Sequence, residues 1–182
     1  MISCDVVIIG AGPSGSSAAA VLAEKGHKVI LIERSRFPRY HVGESLLPFN
    51  SKILKRLGLL DKMRKSTFIK KNSVQFVDQE GVMSKPFYFN TRYPDDLAQT
   101  WQVERGEFDS MLMHAAKQNG ALIMEETEVV SLTEENGEIL GLTALNQNKE
   151  NIEIRAKITL DCSGKEAFAA NRLGWRLSLI HI

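Results

Sequence analysis

The chain has 182 residues, 43% hydrophobic and 25% charged, with 23 basic against 22 acidic side chains and a formal net charge of +1. This is the composition of an ordinary globular domain with material for one sizeable core, and it excludes a disordered or fibrous chain. The even charge balance gives no basic face for nucleic acid and no polybasic segment for an acidic membrane, so the expected partner is a small molecule.

The first strongly patterned stretch is residues 5–34, DVVIIGAGPSGSSAAAVLAEKGHKVILIER. An apolar β-rich run, Val6 to Ile9, leads into a turn carrying Gly10, Gly12 and Gly15, then an Ala-rich helix, then a second strand, Val29 to Ile32, closed by Glu33. Gly10 permits the tight strand-to-helix turn, Gly12 leaves room for a pyrophosphate to touch backbone, and Gly15 lets the helix press on the sheet. The helix N-terminus adds unpaired N–H groups and the positive end of its dipole. Glu33 stands eighteen residues after Gly15, where a carboxylate accepts hydrogen bonds from an adenosine ribose and repels a 2′-phosphate. Strand, glycine turn, helix and acidic strand end together predict a dinucleotide site.

Cys4 and Cys162 form no close pair and no metal-ligand pattern, which predicts a reducing, cytoplasmic setting, no metal site and two small buried side chains. The N-terminal apolar run has no basic segment before it and is cut by glycine, so it reads as a strand and not a signal peptide. No apolar run is long enough for a stable membrane anchor.

Beyond Glu33, Pro38 and Gly43 mark residues 35–43 as a loop that delivers Gly43-Glu44-Ser45 to an expected helix start. There the three residues are either a second place for backbone N–H groups to meet an anion or flavin edge, or a plain helix cap with Ser45 at its head. Ile53, Leu54 and Leu57 recur at helical spacing before Gly58. Two strand-like runs, Val74 to Val77 and Pro86 to Phe89, flank a turn at Asp78 to Gly81. Just ahead of them, the adjacent Lys70 and Lys71 are either solvated strand-edge charges or, since strand neighbours face opposite ways, a pair with one lysine facing inward. A lysine kept from water has its ammonium disfavoured and its amine freed for chemistry.

Phe108, Met111, Leu112 and Ala115 then lie on one face of a helix stopped by Gly120, with Arg105 just ahead as either a surface charge or a ligand for a phosphate or flavin oxygen. From Ala121 the pattern is strands: ALIMEETEVVSLT, a hairpin turn at Asn136-Gly137, EILGLTAL, a polar turn at Asn146 to Asn151, and IEIRAKITL into Asp161-Cys162-Ser163-Gly164. Asp161 there is either backbone brought near a ligand or a simple Asx cap. The last six residues, Leu177 to Ile182 (LSLIHI), read as one translation frame of a transposase end sequence used for sequencing libraries, so native sequence is expected to stop near Trp175 or Arg176.

The order of these signals resembles the FAD-dependent monooxygenases of the p-hydroxybenzoate hydroxylase type and, within them, the flavin-dependent halogenases. The resemblance is carried by the glycine unit with Glu33-Arg34, by FPRYHVGESLLP, by Gln102-Val103-Glu104-Arg105 followed by Phe108-Asp109, and by Asp161-Cys162-Ser163-Gly164. It implies an α/β fold: a Rossmann-type FAD-binding domain with parallel sheet and β-meander over 1–66 and 98–176, and the start of an inserted β-rich substrate domain over 67–97. It implies FAD as cofactor, held by Gly10, Gly12, Pro13, Ser14, Gly15, Glu33, Arg34, Gly43, Glu44, Ser45, Arg105, Val129 and Asp161. Lys71, five residues before Phe76, matches the lysine that in such halogenases holds or carries the electrophilic halogen made from reduced flavin, dioxygen and halide. A separate flavin reductase is the implied partner. The family's W-x-W-x-I-P signature is not found in these residues, and in the family it lies further along the chain. Halogenase therefore rests on VGESLLP and Lys71, with a flavin hydroxylase, a geranylgeranyl-reductase-like enzyme or a non-catalytic dinucleotide-binding module as the alternatives. The 182 residues by themselves are expected to bind FAD weakly and to be inactive.

Overall fold

A computed structural model of the chain describes residues 1–93 and 98–176. The suspected artefact at 177–182 and part of the expected 67–97 segment lie outside the described residues. Two compact units are present: Met1–Arg39 with the described residues from Asp109 onward, and the described residues of Tyr40–Phe108.

The first unit is built on one six-stranded sheet. Strands β1 (Ile2–Ile9), β2 (Val29–Ile32), β7 (Leu122–Met124), β8 (Glu128–Glu135), β9 (Glu138–Leu145) and β10 (Asn151–Asp161) take the order β7-β2-β1-β10-β9-β8. The first four in that order run parallel, and β10, β9 and β8 form an antiparallel meander. The expected parallel sheet and meander are thus one continuous sheet. Val6, Val7, Ile8 and Ile9 are all buried, as a central strand covered on both faces requires. Helix α1 (Pro13–Glu24) packs on β1 and β2 through small side chains, with Ala19, Ala20 and Ala23 buried. Cys4, Val7, Ile9, Ile30, Ile32, Val129, Leu142 and Ile154 form a core cluster within this unit. The β8–β9 turn places Asn136 at φ 53° and Gly137 at φ 82°, the two left-handed residues of a tight hairpin.

The second unit carries two short helices, α2 (Asn50–Arg56) and α3 (Leu60–Lys65), and two strand pairs: β3 (Ile69–Lys71) with β6 (Thr100–Gln102), and β4 (Ser73–Val74) with β5 (Phe87–Tyr88). The runs expected over 74–77 and 86–89 therefore pair for only two residues each, with one further bridge, Val77 to Met83, near the turn. Pro86 has no N–H to extend the ladder. Asp78 gathers the Glu80 and Val82 N–H groups on its Oδ1 and closes the tip instead. Helix α4 (Arg105–Gln118) buries Phe108, Met111, Leu112 and Ala115, and a left-handed Gly120 at φ 102° follows it. The remaining helix, α5 (Phe168–Arg172), follows β10.

The expected helix start at Gly43-Glu44-Ser45 is corrected. These residues are extended: the Val103 N–H donates to the Glu44 carbonyl at 2.8 Å, Ser45 bridges Gln102, and the Leu46 N–H donates to the Trp101 carbonyl at 3.0 Å. Proline at 48 disfavours helical geometry at Leu47. The helix consequently begins only at Asn50. Cys162 is corrected as well, being only half-buried, whereas Cys4 is buried.

Gly141, at φ 150°, lies where β9 passes β10, and an added Cβ would stand 2.0 Å from the Ile154 carbonyl oxygen. Gly141→Ala is expected to cost about 3 kcal/mol or more of stability, because neither backbone can yield inside the sheet. Urea denaturation of the purified variant measures it.

Candidate functional site

In the first unit the ends of β1, β2 and β10 converge on the glycine turn. The Gly10 N–H donates to the Ile32 carbonyl at 2.8 Å and the Cys162 N–H to the Ile9 carbonyl at 2.9 Å. An added Cβ on Gly10 would meet the Cys162 carbonyl oxygen at 2.7 Å, and one on Gly15 would stand 1.9 Å from the Gly10 carbonyl oxygen. At Gly12 an added Cβ would fit without a clash, in ordinary contact with Arg39 Nη2 at 3.8 Å. Gly12 also caps α1 without a side chain, and Pro13 occupies the first turn. The first-turn N–H groups of Ser14 and Gly15 have no acceptor within their own helix. Closed to a side chain at Gly10 and Gly15 and free of a clash at Gly12, this turn fits a diphosphate against the helix N-terminus.

Glu33 is buried, and its carboxylate is tied into the same turn. Oε2 accepts from the Ala11 N–H and Oε1 from the Ser35 N–H, both at 3.0 Å. Arg39 Nε lies 3.5 Å from Oε1. A position expected to serve a ribose thus also fixes the loop that would hold the phosphates. Arg34 is mostly exposed and makes a two-pronged pair with Glu166, at 2.6 and 3.0 Å, which raises its pKa further. Asp161 takes the Ser163 N–H at 3.0 Å, the Ser163 hydroxyl at 2.5 Å and the Ala169 N–H at 2.8 Å. Its carboxylate organises the turn after β10, while its backbone lies in register with Ile9. Ser14 Oγ lies 3.6 Å from Cys162 Sγ. Val129 is buried in the sheet, paired with Ala144 next to a shift in register.

In the second unit Arg105 is buried and Nη1 donates to the Val42 carbonyl at 2.8 Å, beside Gly43 at φ 114°. This bond ties Arg105 to the loop that carries Gly43-Glu44-Ser45. Lys71 and Lys70 diverge as alternation requires. Lys71 is half-buried, and its Nζ donates to Ser45 Oγ at 2.5 Å and stands 5.8 Å from the centre of the buried Phe89 ring. Burial lowers its pKa. Lys70 is exposed.

Three residues at these sites were not picked out as ligands in the sequence: Arg39, Asp109 and Phe89. Asp109 stands in the F-D pair and Arg39 in the F-P-R run, yet only tertiary contact joins them. Among the described residues no cluster of three His, Cys, Asp or Glu side chains is placed to hold a metal ion, and no helix is long and apolar enough to cross a membrane.

A parallel β-α-β unit with an open glycine turn and an acidic strand end defines a dinucleotide-binding fold. Residues 3–179 match the FAD binding domain family, and the chain belongs to that family. It is 35% identical over 170 residues to a 1H-pyrrole-2-carbonyl peptidyl-carrier protein brominase of Pseudoalteromonas luteoviolacea, covering 93% of this chain and 40% of the relative. It is 33% identical to a corresponding chlorinase of Pseudomonas fluorescens, covering 94% and 42%. The solved structure of the myxobacterial chondrochloren halogenase superposes with a TM-score of 0.82 at 34% identity, covering 88% of this chain and 37% of that one. The chain therefore spans about 40% of the length of these two curated relatives. These relatives are flavin-dependent halogenases, the group that the motif order resembles, and the cofactor is FAD.

Two outcomes test the site. Glu33→Ala leaves two backbone N–H groups without their acceptor, so it is expected to lose about 1–3 kcal/mol of stability, read by thermal unfolding. Because burial depresses the folded-state pKa of Lys71, the neutral amine gains population as pH rises toward the ordinary lysine value of 10.5. The stability linked to this group rises with pH over that window and is lost as pH falls through the lowered value. Under limiting acylating reagent at mildly alkaline pH, the rate per accessible amine is expected to turn on at lower pH for Lys71 than for Lys70, followed by peptide mass spectrometry.

Proposed function

We propose that this chain carries the FAD-binding part of a flavin-dependent halogenase acting on an electron-rich small molecule, with Lys71 as the catalytic residue. The observation that supports it best is Lys71 itself: an amine partly withdrawn from water, flanked by Phe89 and hydrogen-bonded to Ser45 of the Gly-Glu-Ser run. Bound and reduced, FAD would supply the two electrons with which dioxygen converts chloride or bromide into hypohalous acid. The protein's own part is then to bind, orient and hold. Gly12 and the first turn of α1 receive the diphosphate, Glu33 faces the adenosine ribose, and Arg105 keeps the Gly-Glu-Ser loop extended. Lys71 Nζ, with its proton more readily released than that of a solvated lysine, holds or carries the electrophilic halogen toward substrate.

Reduced flavin would come from a separate flavin reductase, and the enzyme would work in the cytoplasm. Residues 67–97 begin the substrate-facing part of the protein in this reading, with 1–66 and 98–176 serving FAD.

The test starts by reading the native locus past codon 176 and expressing the frame found there. With FAD, a flavin reductase, NADH and bromide, the product is expected to halogenate an electron-rich aromatic, detected by mass spectrometry. Lys71→Ala is expected to lower that activity by about 100-fold or more with FAD binding retained, and Lys70→Ala to leave it nearly unchanged. Hydroxylated or reduced product without halogen would replace this reading with a hydroxylase or reductase.

A further inference from the structure

Arg39 stands out because two carboxylates hold it while one of its nitrogens, at the phosphate turn, has no partner among the described residues. Its side chain is 14% exposed. Nε lies 3.5 Å from Glu33 Oε1 and Nη1 donates to Asp109 Oδ2 at 3.2 Å, with Asp109 fully buried. The guanidinium also lies 4.8 Å from the centre of the Phe37 ring. These contacts fix the plane of the group, and Nη2 is its donor edge without a partner among the described residues. That nitrogen lies over Gly12, 3.8 Å from where an added Cβ would stand.

We propose that Arg39 is a cationic ligand for the diphosphate of the dinucleotide, held in position by Glu33 and Asp109. A largely buried guanidinium is costly to desolvate and is kept where its planar fork meets acceptors on more than one side. If Arg39 served only to neutralise the two carboxylates, Nε and Nη1 would suffice. Its third nitrogen instead lies beside the backbone that a pyrophosphate must approach. Glu33 supports this geometry twice, by holding Nε and by fixing Ala11, the residue between Gly10 and Gly12. Asp109 is a positioning residue in this arrangement: it orients Nη1 from the F-D pair, giving that motif a role in cofactor binding. The proposal depends on FAD binding and not on which reaction Lys71 supports.

The test uses the full chain with ADP as probe, since ADP carries the diphosphate and the ribose without the flavin. In wild-type protein labelled with nitrogen-15 arginine, the Arg39 side-chain resonance, assigned with Arg39→Lys, is expected to shift on saturation with ADP. Arg39→Gln is expected to weaken ADP binding by about tenfold or more, the loss of one charge-assisted hydrogen bond, and Arg39→Lys to recover most of it. Asp109→Asn should give an intermediate loss, and Arg36→Gln, at a neighbouring exposed position, none. An Arg39 resonance unmoved by saturating ADP overturns the proposal, and so does a folded Arg39→Gln protein that binds ADP within twofold of wild type. Equal weakening by Arg36→Gln overturns it too, because the effect would then be general charge. If Arg39→Gln does not fold, the wild-type resonance decides. Failure of halogenation is read from product and leaves this result untouched.

Discussion

The close approach of backbone to backbone at the glycine turn is the constraint from which the rest of the first unit follows. Gly15 sits so near the Gly10 carbonyl that any side chain would overlap it, and Gly10 meets the end of β10 in the same way. Removing those two Cβ atoms lets α1 start directly after the carboxyl end of the central strand β1, with Gly12 as its N-cap. A helix start placed this way stabilises an anion without any charged side chain of its own. The sheet supplies the rigidity: β1 is buried on both faces and hydrogen-bonded on both sides, to β2 and to β10.

Charged side chains are used in two distinct ways. Buried Glu33 and Asp109 are both paired with the largely buried Arg39, and Glu33 also holds the loop backbone, which is how charged groups are tolerated away from water. Arg105 does likewise with the carbonyls at 42 and 43. Lys71 is treated differently. It has a hydroxyl and a ring face for neighbours, and burial is the cause that lowers its pKa. A guanidinium keeps its proton under almost any burial, so it serves to hold structure or a phosphate; a lysine gives its proton up and becomes available for chemistry. The division of labour between these cations follows from their chemistry.

Much of this was legible along the chain because it depends on neighbours in sequence. The β-α-β unit, its three glycines and Glu33 were readable from periodicity and spacing, as was the Asn136-Gly137 hairpin. The same alternation that separates Lys70 from Lys71 was readable too. The Gly43-Glu44-Ser45 segment was not: its residues suit a helix start, but pairing with β6, more than fifty residues away, makes them extended. Along the chain Asp161 suits a ligand-facing backbone or an Asx cap equally, and only the folded turn shows its carboxylate holding Ser163 and Ala169.

What the sequence determined by itself was the set of local conformations: which residues twist into α1, where φ must be positive, and which strand ends in a carboxylate. These are fixed by sterics and by hydrogen bonds a few residues long. Tertiary structure alone decided the pairings: Glu33 with Ala11, Arg39 with Asp109, Lys71 with Ser45, and the meander with the parallel strands. Each joins residues far apart in the chain, and its energy exists only once folding has removed water and brought the partners within hydrogen-bond reach. Composition and spacing carry no record of that distance.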